Sequence, residues 1–262
     1  DRTEKFLEKA ESGVYISSAC PVVVEYIRKY SPDHVRFITP IISPMLAHAK
    51  ILKQLYGEDI KIVFAGPCIC KKLEADYFNN LVDVVITFKD LKKWFEQSNI
   101  NLKNIAPNQP EAHFVPYRSG MGAYYPIEGG MLKGMQEGKK QIHHMAFSEL
   151  STVKDVLKEL DSHRENDSIF LELLACRGGC INGPAKLSHI SPALKRYEII
   201  HQSELGNPKN DFKNIDLQIL FCKDSQVQDH TYTEEEIKQA MAVVGKTGPE
   251  DELNCSGCGY DS

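Results

Sequence analysis

The chain has little that would tie it to a membrane or to nucleic acid. No run approaches the roughly 20 apolar residues needed to span a bilayer, so no transmembrane segment is expected. Neither charge is in large excess: 31 Lys and Arg face 36 Asp and Glu, for a net −5, with no basic run to follow a phosphate backbone and no acidic tail. The opening Asp1-Arg2-Thr3-Glu4-Lys5 does not resemble a secretory signal, and the expected compartment is the cytoplasm. Disulfide staples are not called for either, because a chain of 262 residues can bury about 70–75% of the surface its unfolded form exposes. Its eight cysteines are better explained by metal binding.

Four of them stand in recognisable surrounds. These are Ser18-Ala19-Cys20-Pro21, Gly66-Pro67-Cys68-Ile69-Cys70-Lys71-Lys72, and Ala175-Cys176-Arg177-Gly178-Gly179-Cys180-Ile181-Asn182-Gly183. Thiolates are soft, strongly donating ligands that select iron–sulfur clusters, zinc or cuprous ion. Two close C-x2-C pairs would favour structural zinc, whereas ligands spread from Cys20 to Cys180 imply a site where distant parts of the fold converge. Four ligands from three segments suit a cube-shaped 4Fe-4S cluster. Cys176 and Cys180 alone would also be compatible with a structural thiol pair; the neighbouring glycines and the other two segments favour the cluster.

At these residues the sequence resembles the catalytic, H-cluster domain of FeFe (iron-only) hydrogenases, as a truncated fragment of a sensory-type member. The family's three loops read approximately T-S-C-C-P, M-P-C-x-x-K-x-x-E and M-A-C-x-x-G-C-x-x-G-G. They match here at Cys20, at Cys68 with Lys71 and Glu74, and at Cys176 with Cys180. Ser119-Gly120-Met121-Gly122 followed by Glu128-Gly129-Gly130-Met131 resembles the family's S-G-A-G…T-G-G-V stretch.

The resemblance implies a 4Fe-4S cube on Cys20, Cys68, Cys176 and Cys180. Cys180 would bridge to a diiron subcluster carrying carbon monoxide, cyanide and dithiolate ligands. Lys71 would hold a cyanide, and Gly66, Pro67, Leu174, Gly178, Gly179, Ser43 and Gly120 would shape the pocket. Three positions depart from the family. Ala19 replaces a proton-relaying cysteine, and Gly66 and Leu174 stand where methionines are usual. Thr39 keeps a hydroxyl at a relay position commonly held by serine, and Glu4 aligns loosely with a relay glutamate.

Intact cluster ligands with an altered proton path imply reversible H2 oxidation and proton reduction at low rate, serving H2 or redox sensing. The implied partners are H2 and protons, a redox or signalling domain in a longer parent chain, and hydrogenase maturation proteins. Because such clusters are oxygen-labile, the implied setting is anaerobic. The alternative is a noncatalytic iron–sulfur scaffold that holds only the cube. A thiol-redox or zinc protein is a third reading.

Alternating strand and helix patterns predict an α/β fold of two packed lobes that can intertwine, each a mainly parallel sheet flanked by helices, with the cluster site between them. The expected division is 1–105, 106–222, and a C-terminal part 223–262. Strands are expected at Val14–Ile16, Ile60–Ala65, Asp83–Thr87, Gln141–Phe147, Ile169–Ala175 and Leu217–Phe221. Helices are expected over 2–11, from Pro21 to Tyr30, from Ser43-Pro44 to Tyr56, and at Lys89–Gln97, Ser151–Leu160, Pro192–His201 and Thr233–Val244. Trp94 and Cys222 are expected in the core, and Cys70 as an uncoordinated, partly buried thiol. His143-His144 should point to opposite faces of a strand. Cys255 and Cys258 read as the start of a four-cysteine iron–sulfur motif that ends here as two free thiols.

Overall fold

The structure, a computed structural model, describes residues 2–101, 104, 114, 119–135, 141–160, 167–187, 190–202, 215–224, 232–243 and 245. Cys255, Cys258 and the division at residue 105 lie outside the described residues. Two parallel sheets form the frame. In the larger, β1 (Val14–Ile16), β5 (Ile169–Leu174) and β4 (His143–Ser148) run side by side, with β5 in the middle. The smaller pairs β2 (Val63–Gly66) with β3 (Val84–Thr87), Gly66 lying opposite Thr87.

β5 is buried from Phe170 to Leu174, as expected of a central strand in a parallel sheet covered on both faces. Its side chains alternate between two cores. Leu171 and Leu173 pack with Val14, Ile16, Val23, Ile27, Val153 and Leu157. That core joins α2 (Pro21–Tyr30) and α7 (Leu150–Glu159) to one side of the sheet. Phe170 packs with Leu7 and Met131 on the other side, where α1 (Arg2–Lys9) and the short α6 (Gly130–Lys133) lie. A third core, including Ile42, Leu46, Ala49, Ala75, Val82 and Val85, holds α3 (Pro44–Tyr56) and α4 (Cys70–Tyr77) to the smaller sheet. α5 (Phe88–Gln97), α8 (Pro192–Gln202) and α9 (Glu234–Val243) complete the described helices. None of the described helices is long and apolar enough to cross a membrane.

The lobes intertwine, as the sequence allowed: β1 pairs in register with β5, Val14 opposite Ile169 and Ile16 opposite Leu171. Other expectations need correction. Leu217–Phe221 is not a strand: only Gln218 makes an isolated bridge, to Ile41. Cys222 beyond it is exposed rather than in the core. Trp94 is 53% exposed, and no α5 residue is buried. Its apolar stripe predicts a helix face without saying whether another element covers it. Ser43 precedes α3 but makes no side-chain cap, since its hydroxyl is engaged by Lys71. α4 and α6 were not legible in the sequence. His143 and His144 do lie in succession on β4, and the His144 ring meets the Phe170 ring edge-on.

Candidate metal centre

Three strand ends deliver the four cysteines. Cys20 follows β1 as the residue before α2, where Pro21 suits a first helical turn that needs no N–H donor. Cys68 lies between β2 and α4, and Cys176 and Cys180 follow β5. In open parallel sheets the carboxyl ends of strands are where ligands sit.

Backbone contacts bind these loops together. Ser17 N–H donates to Leu171 O at 2.8 Å, fixing the Cys20 loop to β5. The Cys20 sulfur accepts backbone hydrogen bonds from Ala175 and Val23. Ala185 N–H donates to Pro67 O at 3.0 Å, joining the Cys68 loop to the segment after Cys180. At Gly183 an added Cβ would lie 2.7 Å from Pro67 O, so this close approach requires glycine. Gly179 has φ +105°, and a Cβ there would come within 2.7 Å of Ile127 Cα. The Cys176–Cys180 loop thereby lies flat against residues 126–128, with Ile181 N–H donating to Pro126 O at 3.2 Å.

The thiols sense one another. Burial pushes the Cys20 thiol up, Cys176 to about 11 and Cys180 to about 12. Charge on the other cluster-loop cysteines raises each of the three further, and Cys68 contributes to all of them. Four thiolates here would repel one another unless a cation replaced their protons. Among the described residues no three His, Cys, Asp or Glu side chains are grouped tightly enough to hold a single metal ion. Soft sulfur donors brought from three strand ends are the ligand set that an iron–sulfur cluster takes.

Lys71 lies beside this set, only 9% exposed. Its ammonium donates to Glu74 Oε2 at 2.6 Å, Ser43 Oγ at 3.1 Å and Ala19 O at 3.4 Å. The structure thus brings together Lys71, Ala19 and Ser43. Gly66, at the end of β2, and Leu174, at the end of β5, are buried beside the cysteine loops. Thr39 is buried, and its hydroxyl donates to Ile16 O at 3.1 Å, so that proton is committed to the backbone. Gly120 opens a short 3-10 turn, Gly120–Tyr124; Pro126–Glu128, further along, is what meets the cysteine loop. Glu4 acts electrostatically on Tyr125 and His144. Cys70 is partly buried, with its thiol pushed up to about 12 by burial. It lines a cleft of about 250 Å³ together with Ser18, Glu74, Tyr77 and Cys222.

Two polar residues, Ser148 and Glu172, escaped the reading of the sequence, which quoted Glu128 only within its glycine motif. Glu128 N–H donates to Gly178 O at 3.3 Å. Gly178 N–H donates to Ser148 Oγ at 2.8 Å, and the Ser148 hydroxyl donates to the Glu128 carboxylate. Glu172 is 2% exposed in the middle of β5. A lone acid inside the apolar run Ile169–Leu174 was the signal that could have flagged it.

Comparison with known proteins follows the same lines. A family model described as "Iron only hydrogenase large subunit, C-terminal domain" matches residues 1–184. Iron hydrogenase 1 of Clostridium pasteurianum is 24% identical over 278 aligned residues, covering 88% of this chain and 46% of that protein. A probable cytosolic Fe-S cluster assembly factor of Drosophila virilis is 26% identical, with 80% of this chain and 56% of the relative covered. The chain therefore spans about half the length of these curated relatives. Among solved structures, an FeFe-hydrogenase from Chlamydomonas reinhardtii superposes with a TM-score of 0.57 at 16% identity, over 84% of this chain and 79% of that one. At that identity the likeness shows a shared fold.

Proposed function

Because the chain belongs to the iron-only hydrogenase large-subunit family, we propose that it is a sensory-type hydrogenase domain in which Cys20, Cys68, Cys176 and Cys180 hold a 4Fe-4S cube. In this reading Cys180 also bridges to a diiron subcluster, and the domain oxidises H2 and reduces protons reversibly at low rate. The observation that supports it best is the convergence of four buried or half-buried thiols from three strand ends beside a buried ammonium. When bound, the cluster pair would supply electron storage and a metal site for hydrogen.

The remaining chemistry belongs to the chain's own residues. Lys71 places a positive charge at the Ala19 carbonyl, on the side where anionic ligands of the diiron subcluster would lie. Ala19 carries only a methyl group, so it can neither accept nor pass a proton. Thr39 gives its hydroxyl proton to Ile16 O and offers no continuous path around Ala19. Restricted proton supply limits turnover without hindering H2 binding or electron exchange, a combination suited to a detector. The signal would pass to a redox or signalling domain of a longer parent chain, after maturation proteins had installed the subcluster.

One observation favours the scaffold reading. All three donors of Lys71 are engaged by protein groups, so the ammonium has an internal role that needs no cyanide. The likeness to proteins named as Fe-S assembly factors agrees with it. Infrared spectroscopy between the two readings is direct. After anaerobic cube reconstitution and loading with a synthetic diiron complex, sharp carbon monoxide and cyanide bands that shift under H2 are expected. A confirmed cube without such bands would overturn the sensory reading in favour of the scaffold.

A further inference from the structure

Glu172 sets a carboxyl group inside β5, whose end at Leu174 leads through Ala175 to Cys176. The four residue steps from Glu172 to Cys176 span at most about 13 Å of extended chain. One carboxyl oxygen, Oε1, accepts the Met131 N–H at 3.4 Å, while Oε2 is buried without a hydrogen-bond partner. A buried carboxylate with an orphan oxygen is costly when charged and is relieved by a proton.

The groups around it set its balance. From α6, the backbone N–H groups of Met131 and Leu132 favour the charged form. Glu128, just before α6, opposes it, and Arg196 on α8 weakly supports it. Tyr125 lies nearby, its hydroxyl pushed up by its own burial and by the charges of Glu172 and of Glu4 on α1. Burial outweighs the favourable terms and carries Glu172 up to about 7. Glu128 in turn connects to the cysteine loop through Ser148 and the Gly178 N–H. Glu172 thus feels the charge of an acid, Glu128, that is hydrogen-bonded through the part-buried Ser148 to the loop between Cys176 and Cys180.

We propose that Glu172 is a proton-accepting site whose occupancy follows the charge on the cysteine-held cluster: an electron entering the cluster raises the proton affinity of the Glu172 carboxylate, which takes a proton from water in those molecules where it was still charged. The electron comes from an external one-electron reductant, the proton forms the carboxyl O–H, and no other bond changes. This inference rests on the reading that the four cysteines hold a cube. A unit charge at about 13 Å in a medium of effective dielectric ~20 alters proton affinity by about tenfold. By linkage, the cluster's potential falls as pH rises, by about 30 mV per unit at its steepest and by ~59 mV in all for that tenfold change.

The test uses the protein reconstituted with the cube alone, its iron and sulfide content confirmed, and titrated with dithionite from pH 6 to 8.5 while absorbance or electron paramagnetic resonance is followed. The wild type is expected to show the sloping potential, and Glu172→Gln a flat one. A redox-difference infrared spectrum of the wild type at pH 7 should show a protonated-carboxyl C=O band growing on reduction, a check that holds even if the variant fails to fold. A flat wild-type potential, a slope retained in Glu172→Gln, or the missing carboxyl band would each overturn the proposal. Failure of the wild type to take up iron would instead overturn the cube reading, and this inference with it.

Discussion

Lys71 and Glu74 form an ion pair in which each side chain is only 11% exposed. Such a pair says little about stability while intact, but removing one partner strands the other charge away from water. Lys71→Met is therefore expected to cost about 3–5 kcal/mol, read as a lower urea midpoint. The double change Lys71→Met with Glu74→Leu should recover most of that loss. Cube uptake should survive in any single variant that folds, because Lys71 is not among the thiol ligands. At this scale the sequence was informative where chemistry names its own residue: the four cysteines, Lys71 and Glu74 could be singled out from motif positions. Ser43 holds the N-cap position of α3 without capping it, and nothing local reveals that an ammonium from another helix will take its hydroxyl. Ser148 was passed over for the same reason: its hydroxyl meets the Glu128 carboxylate and the Gly178 N–H only once distant segments are folded together.

Among the elements, β5 carries the most tension, since it places Glu172 inside an otherwise apolar strand. Folding raises this acid from 4.5 to about 7, chiefly by burial. The folded state therefore holds the proton over a range where the unfolded chain has released it, and stability falls as pH rises from roughly 4.5 to 7. The loss is about 3 kcal/mol when complete. Burial holds His144 and His48 below their usual value, which acts in the opposite direction over part of this range. The effect should thus be read as the difference between wild type and Glu172→Gln in urea unfolding at pH 5 and pH 7. The variant is expected to lack the decline. Strand and helix positions were largely legible: β1, α2 and α3 fall where turn residues and apolar periodicity put them. Leu217–Phe221 failed as a strand because an apolar run gives no information about whether a neighbouring strand is available to pair with it.

For the whole molecule, the four cysteines proposed as ligands come from segments that only the assembled fold brings together. Anything that binds this arrangement and not the unfolded chain stabilises it by mass action, about 2.7 kcal/mol at 100-fold excess over the dissociation constant. Reconstitution is expected to raise Tm by several degrees, and Cys20→Ser should abolish both iron uptake and the rise in a thermal scan. That the lobes can intertwine was legible, but which strands pair was not: the pairing of β1 with β5 joins residues near the start of the chain to residues far along it, and no local pattern encodes that distance.

That pairing also orders events during synthesis. β1 and β4 flank β5 in the sheet, yet both are made before it. Cys20 and Cys68 emerge from the ribosome while Cys176 and Cys180 are still untranslated, and the clasp between Pro67 and Ala185 cannot close until the chain has passed Cys180. Iron offered to the nascent polypeptide would meet only an open pair of thiols. On the proposed reading of these cysteines, cofactor delivery is therefore a post-translational step governed by completion of the middle strand.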